Sequence, residues 1–308
     1  MKISIFGLGY VGAVSAACLA RDGHEVIGVD IDPAKLALIE QGKTPVVEEG
    51  MVDLMRAVVA SGRVAVGQDV APAVRDTELS LICVGTPSAS NGSQDQTALL
   101  RLAADLGRAM RDKRSRHVFV FRSTVVPGTV EDTLHPIIER ESGKRDRIDF
   151  DVCFQPEFLR EGTSIRDYDR PPFTIVGAND AYPAEQLRAL FGHLPCEFYQ
   201  TSIRAAEMVK YCCNNFHALK ITFANETARL CAALGVDPFQ VMDLVCRDTQ
   251  LNISKAYLRP GFAFGGSCLP KDLRATSYFA KMHDVEVPML AGILASNRIH
   301  AERAIEKV

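Results

Sequence analysis

The chain has 308 residues, 47% of them hydrophobic and 24% charged, with a net charge of −3. That length exceeds one ordinary core and predicts about two domains, while the slight acidity excludes a basic surface for nucleic acid or for an anionic membrane. There is no apolar run of about eighteen residues to span a bilayer and no basic-apolar-small signal at the start, so a cytoplasmic protein is expected.

In chain order, strand-like runs fall at 2–6, 25–30, 63–66, 79–84, 117–122, 150–154 and 173–177. Helical patterns fall between them, near 11–21, 33–41, 50–61, 97–111, 128–140 and 183–192. Alternation of this kind predicts a parallel sheet covered on both faces. Leu79-Ser80-Leu81-Ile82-Cys83-Val84 is nearly continuous in apolar residues, as a doubly covered strand requires. From about residue 202 the pattern becomes helical. Residues 203–234 carry no Pro or Gly, so one long helix is expected there. Asp237 and Pro238 suit the cap and first position of a second helix, and 272–283 and 289–307 read as two more. The predicted organisation is an α/β domain over 1–201 and a mainly α-helical domain over 202–308, joined by the long helix.

The nine cysteines are odd in number and contain no C-x-x-C, which excludes a zinc or disulfide framework. All but Cys268 are expected to be buried small hydrophobes; no metal site is expected.

Four groups of residues carry chemistry. First, Gly7-x-Gly9-x-x-Gly12 follows a strand and opens a helix. The first glycine allows a tight turn, the second lets backbone approach a pyrophosphate, and the third lets helix and strand pack closely. The helix N-terminus supplies amide donors for the phosphates. The next strand ends in Asp30, a carboxylate placed to accept from a ribose diol and to repel a 2′-phosphate, which favours NAD. Lys35 lies near that ribose or on the solvent surface.

Second, Cys268 follows the loop Pro260-Gly261-Phe262-Ala263-Phe264-Gly265-Gly266-Ser267 and stands just before an expected helix start, next to Lys271. A helix N-terminus and a lysine both favour the thiolate. Third, Lys210, Asn214, His217 and Asn225 share an arc of about 80° on the long helix. An ammonium, two amides and an imidazole on one face suit a substrate wall and an oxyanion, so this stripe is expected to matter more for chemistry than for folding. Fourth, Glu157 and Glu161 follow a strand, where ligands of open α/β sheets bind; taken alone they read as surface glutamates, and one could act as a general base toward water. Thr86 and Thr124 have the same placement.

Gly7–Gly12, Val84-Gly85-Thr86-Pro87, Ser123–Thr129, Pro156–Glu161 and Gly265–Asp272 occur in this order. Together they resemble the nucleotide-sugar 6-dehydrogenase family, which includes the UDP-glucose and GDP-mannose dehydrogenases. Arg259-Pro260-Gly261-Phe262-Ala263-Phe264-Gly265-Gly266 is more similar to the GDP-mannose branch. The resemblance implies a doubly wound, Rossmann-type parallel sheet, a helical second domain and a homodimer. It implies NAD-dependent oxidation of a nucleotide sugar at C6, past the aldehyde to the uronic acid, with GDP-mannose favoured and UDP-glucose the alternative. Cys268 would be the nucleophile. Lys210, Asn214 and Asp272 would surround the reacting carbon, and Glu161 and Thr124 would manage the hydrolytic water. Tyr10, Val11, Asp30, Lys35, Thr86, Thr124 and Lys271 would contact NAD. Glu161, Lys210, Asn214, His217, Asn225, Tyr257, Arg259, Phe262 and Gly265 would contact the nucleotide sugar. The family continues beyond Val308 into a further α/β domain that this sequence does not include. Two other readings stay open: a two-electron hydroxyacid dehydrogenase with a structural Cys268, and an NAD-binding remnant without turnover.

Overall fold

The computed structural model describes residues 1–89, 93–254, 262–265 and 268–306; the side chains of Cys268, Lys271, Asp272 and Phe279 lie outside that description. Two compact units are present, Met1–Cys212 and Cys213–Val308.

The first unit is built on one eight-stranded sheet. Its strands are β1 (Lys2–Phe6), β2 (Glu25–Val29), β3 (Val64–Gly67), β4 (Leu79–Ile82), β5 (His117–Phe121), β6 (Phe150–Phe154), β7 (Thr174–Gly177) and β8 (Phe198–Thr201), in the order β3-β2-β1-β4-β5-β6-β7-β8. The helices between them are α1 (Tyr10–Arg21), α2 (Pro33–Glu40), α3 (Met51–Ala60), α4 (Val70–Arg75), α5 (Thr97–Met110), α6 (His135–Ser142), α7 (Ser164–Asp169) and α8 (Ala181–Phe191). Period-2 alternation sorts the strand residues between the two faces. Ile3, Ile5, Leu79 and Leu81 enter a core with α1, α3 and α8. Phe6, Ile82, Phe119 and Phe121 enter a second core with α4, α5 and α6.

Four departures from the sequence expectation have local causes. The sheet is not wholly parallel: β7 pairs antiparallel to β6 at Phe154–Gly177. The intervening connection carries only the six-residue α7 rather than a full crossover helix, and β8 then pairs parallel to β7. β8 itself had no legible signal, because Phe-Tyr-Gln-Thr is a short and partly exposed strand at the end of the sheet. α4 is hidden by Pro72, which is tolerated in a first turn where no amide is needed. The expected helix near 128–140 is a π-helical turn over Val130–Leu134 followed by α6; Pro136 cannot donate to the preceding turn, and a π turn relieves that clash.

The division between the units falls inside α9 (Ile203–Leu234), a helix of 32 residues and roughly 48 Å. The second unit adds α10 (Pro238–Arg247), α11 (Cys268–Met282) and α12 (Pro288–Ile305). As the sequence suggested, Asp237 caps α10, its Oδ1 accepting from Phe239 N at 2.9 Å. α11 starts earlier than expected, so Cys268 is its first residue rather than a loop residue ahead of it. Pro270 again falls in a first turn. α12 is held by Glu226 of α9, a fully buried carboxylate that accepts from Met289 N at 2.8 Å and Leu290 N at 3.0 Å. Among the described residues, no helix is long and apolar enough to cross a membrane.

None of the eight cysteines with described side chains is in a disulfide, and their burial is less uniform than expected. Cys18, Cys153 and Cys231 are buried, but Cys212 and Cys246 are exposed. Cys246 sits on α10, which buries no residue; α9 is exposed over much of the stretch after Cys212.

Candidate cofactor and active site

Strand order reverses between β1 and β4, which creates a crevice at their carboxyl ends. Gly7 sits in it with a φ of 88°, and a Cβ there would meet the Cys83 and Val84 backbone at 3.0 Å. Gly12 is more constrained still: its Cβ would stand 1.8 Å from Gly7 O. A Cβ on Gly9 would meet nothing within 4 Å. The turn is therefore closed against the protein on one side and open at the N-terminus of α1, where helix amides and the helix dipole favour an anion. Beneath the turn, burial pushes the Cys83 thiol up to about 11, and nearby Arg122 offsets this only in part, which disfavours its thiolate.

Asp30 is buried at the end of β2 and already holds three donors. Its Oδ2 accepts from Leu8 N at 2.7 Å and Lys35 Nζ at 3.3 Å, and its Oδ1 accepts from Asp32 N at 2.9 Å. A carboxylate has about four acceptor positions, so Asp30 both fixes the glycine turn and retains capacity for a ribose hydroxyl. Lys35 is thereby tied to Asp30 rather than free in solvent, although its side chain stays partly exposed. Thr86 and Thr124 also come together: Thr86 Oγ1 donates to Thr124 O at 2.7 Å, and Gln94 Nε2 donates to the same oxygen at 3.1 Å.

The two candidate bases separate. Glu157 is mostly enclosed and ion-paired to Lys210 of α9, Nζ to Oε1 3.0 Å; the same ammonium donates to Glu157 O at 2.6 Å and lies 5.3 Å from the Phe158 ring centre. Glu157 Oε2 further accepts from Leu159 N at 2.8 Å. Glu157 is thus a structural anchor, whereas Glu161 is exposed. Lys210, expected as part of a substrate wall, has a structural part as well. It is buried, and two of its bonds fasten α9 to the loop after β6. An ammonium has three donors, and these bonds use two of them.

One residue at this site had no sequence signal. Glu48, in the loop before α3, is buried and accepts from Tyr10 Oη, from Gly162 N at 2.8 Å and from Ser164 N at 3.0 Å. Burial opposes its charge, but these bonds outweigh it and hold the carboxyl below its ordinary range. Burial, and next the bond to Glu48, raise the Tyr10 phenol.

In the second unit, Asn214, His217 and Asn225 are exposed on α9. Phe262 is 74% exposed and Gly265 is exposed. Their loop is fixed to α12 by a reciprocal pair: Asn297 Oδ1 accepts from Phe264 N and its Nδ2 donates to Phe264 O, each at 2.9 Å. Tyr257 and Arg259 lie outside the described residues, as do the side chains of Cys268, Lys271 and Asp272.

Comparison with known proteins agrees with this geometry. The NAD-binding domain of the UDP-glucose/GDP-mannose dehydrogenase family matches residues 1–195, and the central domain of the same family matches 204–299. The chain belongs to this family. It is an NAD-dependent nucleotide-sugar 6-dehydrogenase, an oxidoreductase. A GDP-mannose 6-dehydrogenase of Pseudomonas syringae is 49% identical over 308 residues, all of this chain and 70% of that protein. The crystal structure of a ternary complex of GDP-mannose dehydrogenase from Pseudomonas aeruginosa matches with a TM-score of 0.98 at 49% identity, covering 99% of this chain and 70% of that one. A UDP-glucose dehydrogenase from Pyrobaculum islandicum matches with a TM-score of 0.79 at 35% identity, covering 97% and 68%. These residues fit the dinucleotide: the open side of Gly9 leaves room for its pyrophosphate, the Gly12–Gly7 contact admits no side chain that would fill the turn, and Asp30 retains an acceptor for its ribose.

Proposed function

We propose that the chain oxidises GDP-mannose at C6 to GDP-mannuronate, and that Cys268 carries the second oxidation. The carrying observation is the gap between relatives: 49% identity over the whole chain to a GDP-mannose 6-dehydrogenase, against 36% to a UDP-glucose 6-dehydrogenase of Haloferax volcanii. The specific run Gly265–Asp272 supports the cysteine.

NAD bound at the glycine turn supplies the hydride acceptor for both oxidations. The protein's part begins once the C6 alcohol has become an aldehyde. Cys268 Sγ adds to the aldehyde carbon, forming a C–S bond and, after protonation of the oxygen, a thiohemiacetal that cannot escape. Loss of a second hydride and the hydroxyl proton gives a thioester. Water, with Glu161 and Thr124 as the groups that direct it, adds to the carbonyl; the C–S bond breaks, and acid and thiolate separate. The position of Cys268 as first residue of α11 favours that thiolate as leaving group and nucleophile. The remaining donor of Lys210, with Asn214 and Asp272, suits the oxyanion. Tyr10, Val11, Lys35 and Lys271 belong to the cofactor side, and His217, Asn225, Tyr257, Arg259, Phe262 and Gly265 to the nucleotide sugar.

The test is NADH stoichiometry with GDP-mannose and UDP-glucose in parallel, on wild type and Cys268→Ser. Two NADH per GDP-mannose, with kcat/KM at least tenfold above UDP-glucose, is expected. The serine variant should make no acid, while slow aldehyde formation survives. Higher kcat/KM with UDP-glucose overturns the substrate; one NADH per sugar overturns the second oxidation. A serine variant still making acid at near wild-type rate overturns the cysteine. The large apolar side chains exposed along α9, among them Met208, Leu219, Ile221 and Phe223, favour a homodimer. Light scattering giving a monomer at micromolar concentration overturns that part of the reading.

A further inference from the structure

Glu161 is exposed, yet the residues on either side of it are anchored. Arg160 is held from the C-terminal side: Asp167 accepts from Arg160 N at 3.1 Å, from its Nε at 2.9 Å and from its Nη2 at 2.6 Å, and also from Thr163 Oγ1 at 2.9 Å. Gly162 and Ser164 are held from a different part of the chain, by the buried Glu48. The Tyr10 hydroxyl joins the same knot. It donates toward Glu48 and accepts from Gly162 N at 3.0 Å. Tyr10 is the first residue of α1, directly after the open Gly9.

We infer that Glu48 is a positioning residue that fixes the Glu161 loop against the start of the cofactor helix. The consequence concerns the site proposed above and rests on that reading. The carboxylate directing water in the hydrolytic step is aimed by a buried glutamate about 110 residues earlier in the chain, through two backbone amides and the phenol of the first residue of α1. Glu48 accepts all three bonds as a carboxylate. Glutamine would present its amide hydrogens to a knot made of donors, so it keeps the shape and loses much of the anchoring. Aspartate keeps the acceptors on a shorter arm. The Glu48 hold acts on Gly162 and Ser164 and the Asp167 hold on Arg160 and Thr163, so loss of one loosens the loop without releasing it.

Two measurements separate this inference from the reading beneath it. The first needs no activity: amide hydrogen exchange of the 160–164 segment in the cofactor-free chain. Exchange at Gly162 and Ser164 should be at least tenfold faster in Glu48→Gln, with the β-strand amides unchanged. Tyr10→Phe should show a smaller rise confined to Gly162. Unchanged exchange in Glu48→Gln overturns the inference whatever the enzyme does. The second is rapid-mixing NADH release with GDP-mannose. Glu48→Gln should give a burst of NADH followed by a steady rate at least tenfold below wild type, the mark of a thioester that waits for water. Its KM for sugar should shift less than threefold, and Glu48→Asp should recover part of the steady rate. Glu161→Gln is the reference. If it bursts and Glu48→Gln does not, Glu48 does not aim Glu161 and the inference fails. If exchange rises in Glu48→Gln but Glu161→Gln turns over normally, the positioning stands and the role of Glu161 falls.

Discussion

Replacing Lys210 with alanine is expected to weaken the fold as well as the chemistry, and the size of the first effect follows from the ion pair. Lys210 is 7% exposed and Glu157 is nearly as enclosed; their charges stand 3.0 Å apart. Removing one partner of a buried pair costs about 3–5 kcal/mol, because the remaining charge is left uncompensated. Glu157 keeps its bond from Leu159 N and some access to water, which puts the loss near the lower end, about 3 kcal/mol. For a unit of this size, each kcal/mol shifts the melting temperature by roughly 2–4 °C. Lys210→Ala should therefore lower Tm by roughly 6–12 °C. The double variant Lys210→Met/Glu157→Gln removes both charges and should recover most of that loss. Asn214→Ala, at an exposed position one turn further along α9, should stay within about 0.5 kcal/mol of wild type. Differential scanning calorimetry of the four proteins decides the matter. A Lys210→Ala protein melting within a degree of wild type would refute the argument, since it would mean that Glu157 loses nothing when its ammonium goes. Below the melting range, both single variants should still lose turnover by roughly 10²–10³, the scale of one oxyanion donor.

The glycine turn gives a paired test. Gly12→Ala cannot keep its geometry with a Cβ 1.8 Å from Gly7 O, so both Tm and NAD affinity should fall, whereas Gly9→Ala meets no protein atom and should keep its Tm while losing NAD affinity; calorimetry and cofactor titration check both. Asp30→Ala should relax NAD over NADP preference by about tenfold and also destabilise the turn by about 1–3 kcal/mol, as Leu8 N and Asp32 N lose their acceptor; equal affinities in the wild type would show that Asp30 is not the ribose ligand. His117 is fully buried between Ser80 and the β5 core, and burial, aided by the Lys113 charge, lowers its pKa to about 3. The unfolded chain binds this proton at about 6.5, so the stability tied to a neutral His117 is complete above pH 6.5 and is lost as pH falls toward 3, by at most about 5 kcal/mol. His117→Gln should flatten the urea-unfolding free energy over that interval; an unchanged slope would show that His117 is not the group responsible.

Local sequence was enough to define the cofactor turn and the helical half. Gly7, Gly9 and Gly12 announce themselves because backbone sterics act over five residues, and Asp30 because a strand of known length carries it back to the same edge. The 32-residue α9 was legible from an unbroken run without Pro or Gly, and the α10 start from Asp237-Pro238. The Gly265–Asp272 motif was legible by its composition and its likeness to a family. Elements shorter than about two turns, or without alternation, were not: β8 forms by pairing with β7, while α4 packs against α5 and α7 against α1, rather than through their own propensity. The antiparallel pairing of β7 likewise depends on the connection that precedes it. Charge pairing was the least legible property. Glu157 and Glu161 have the same chemistry four residues apart in one loop, and nothing local says that one is spent on Lys210 while the other faces outward. Glu48 reads as a loop glutamate beside Glu49; it becomes the anchor of the Glu161 loop only because the fold brings Tyr10, Gly162 and Ser164 to it. Glycine geometry and helical periodicity are written in neighbouring residues. The assignment of a carboxylate to structure or to solvent is set by burial and by partners distant in sequence, and only the tertiary fold supplies those.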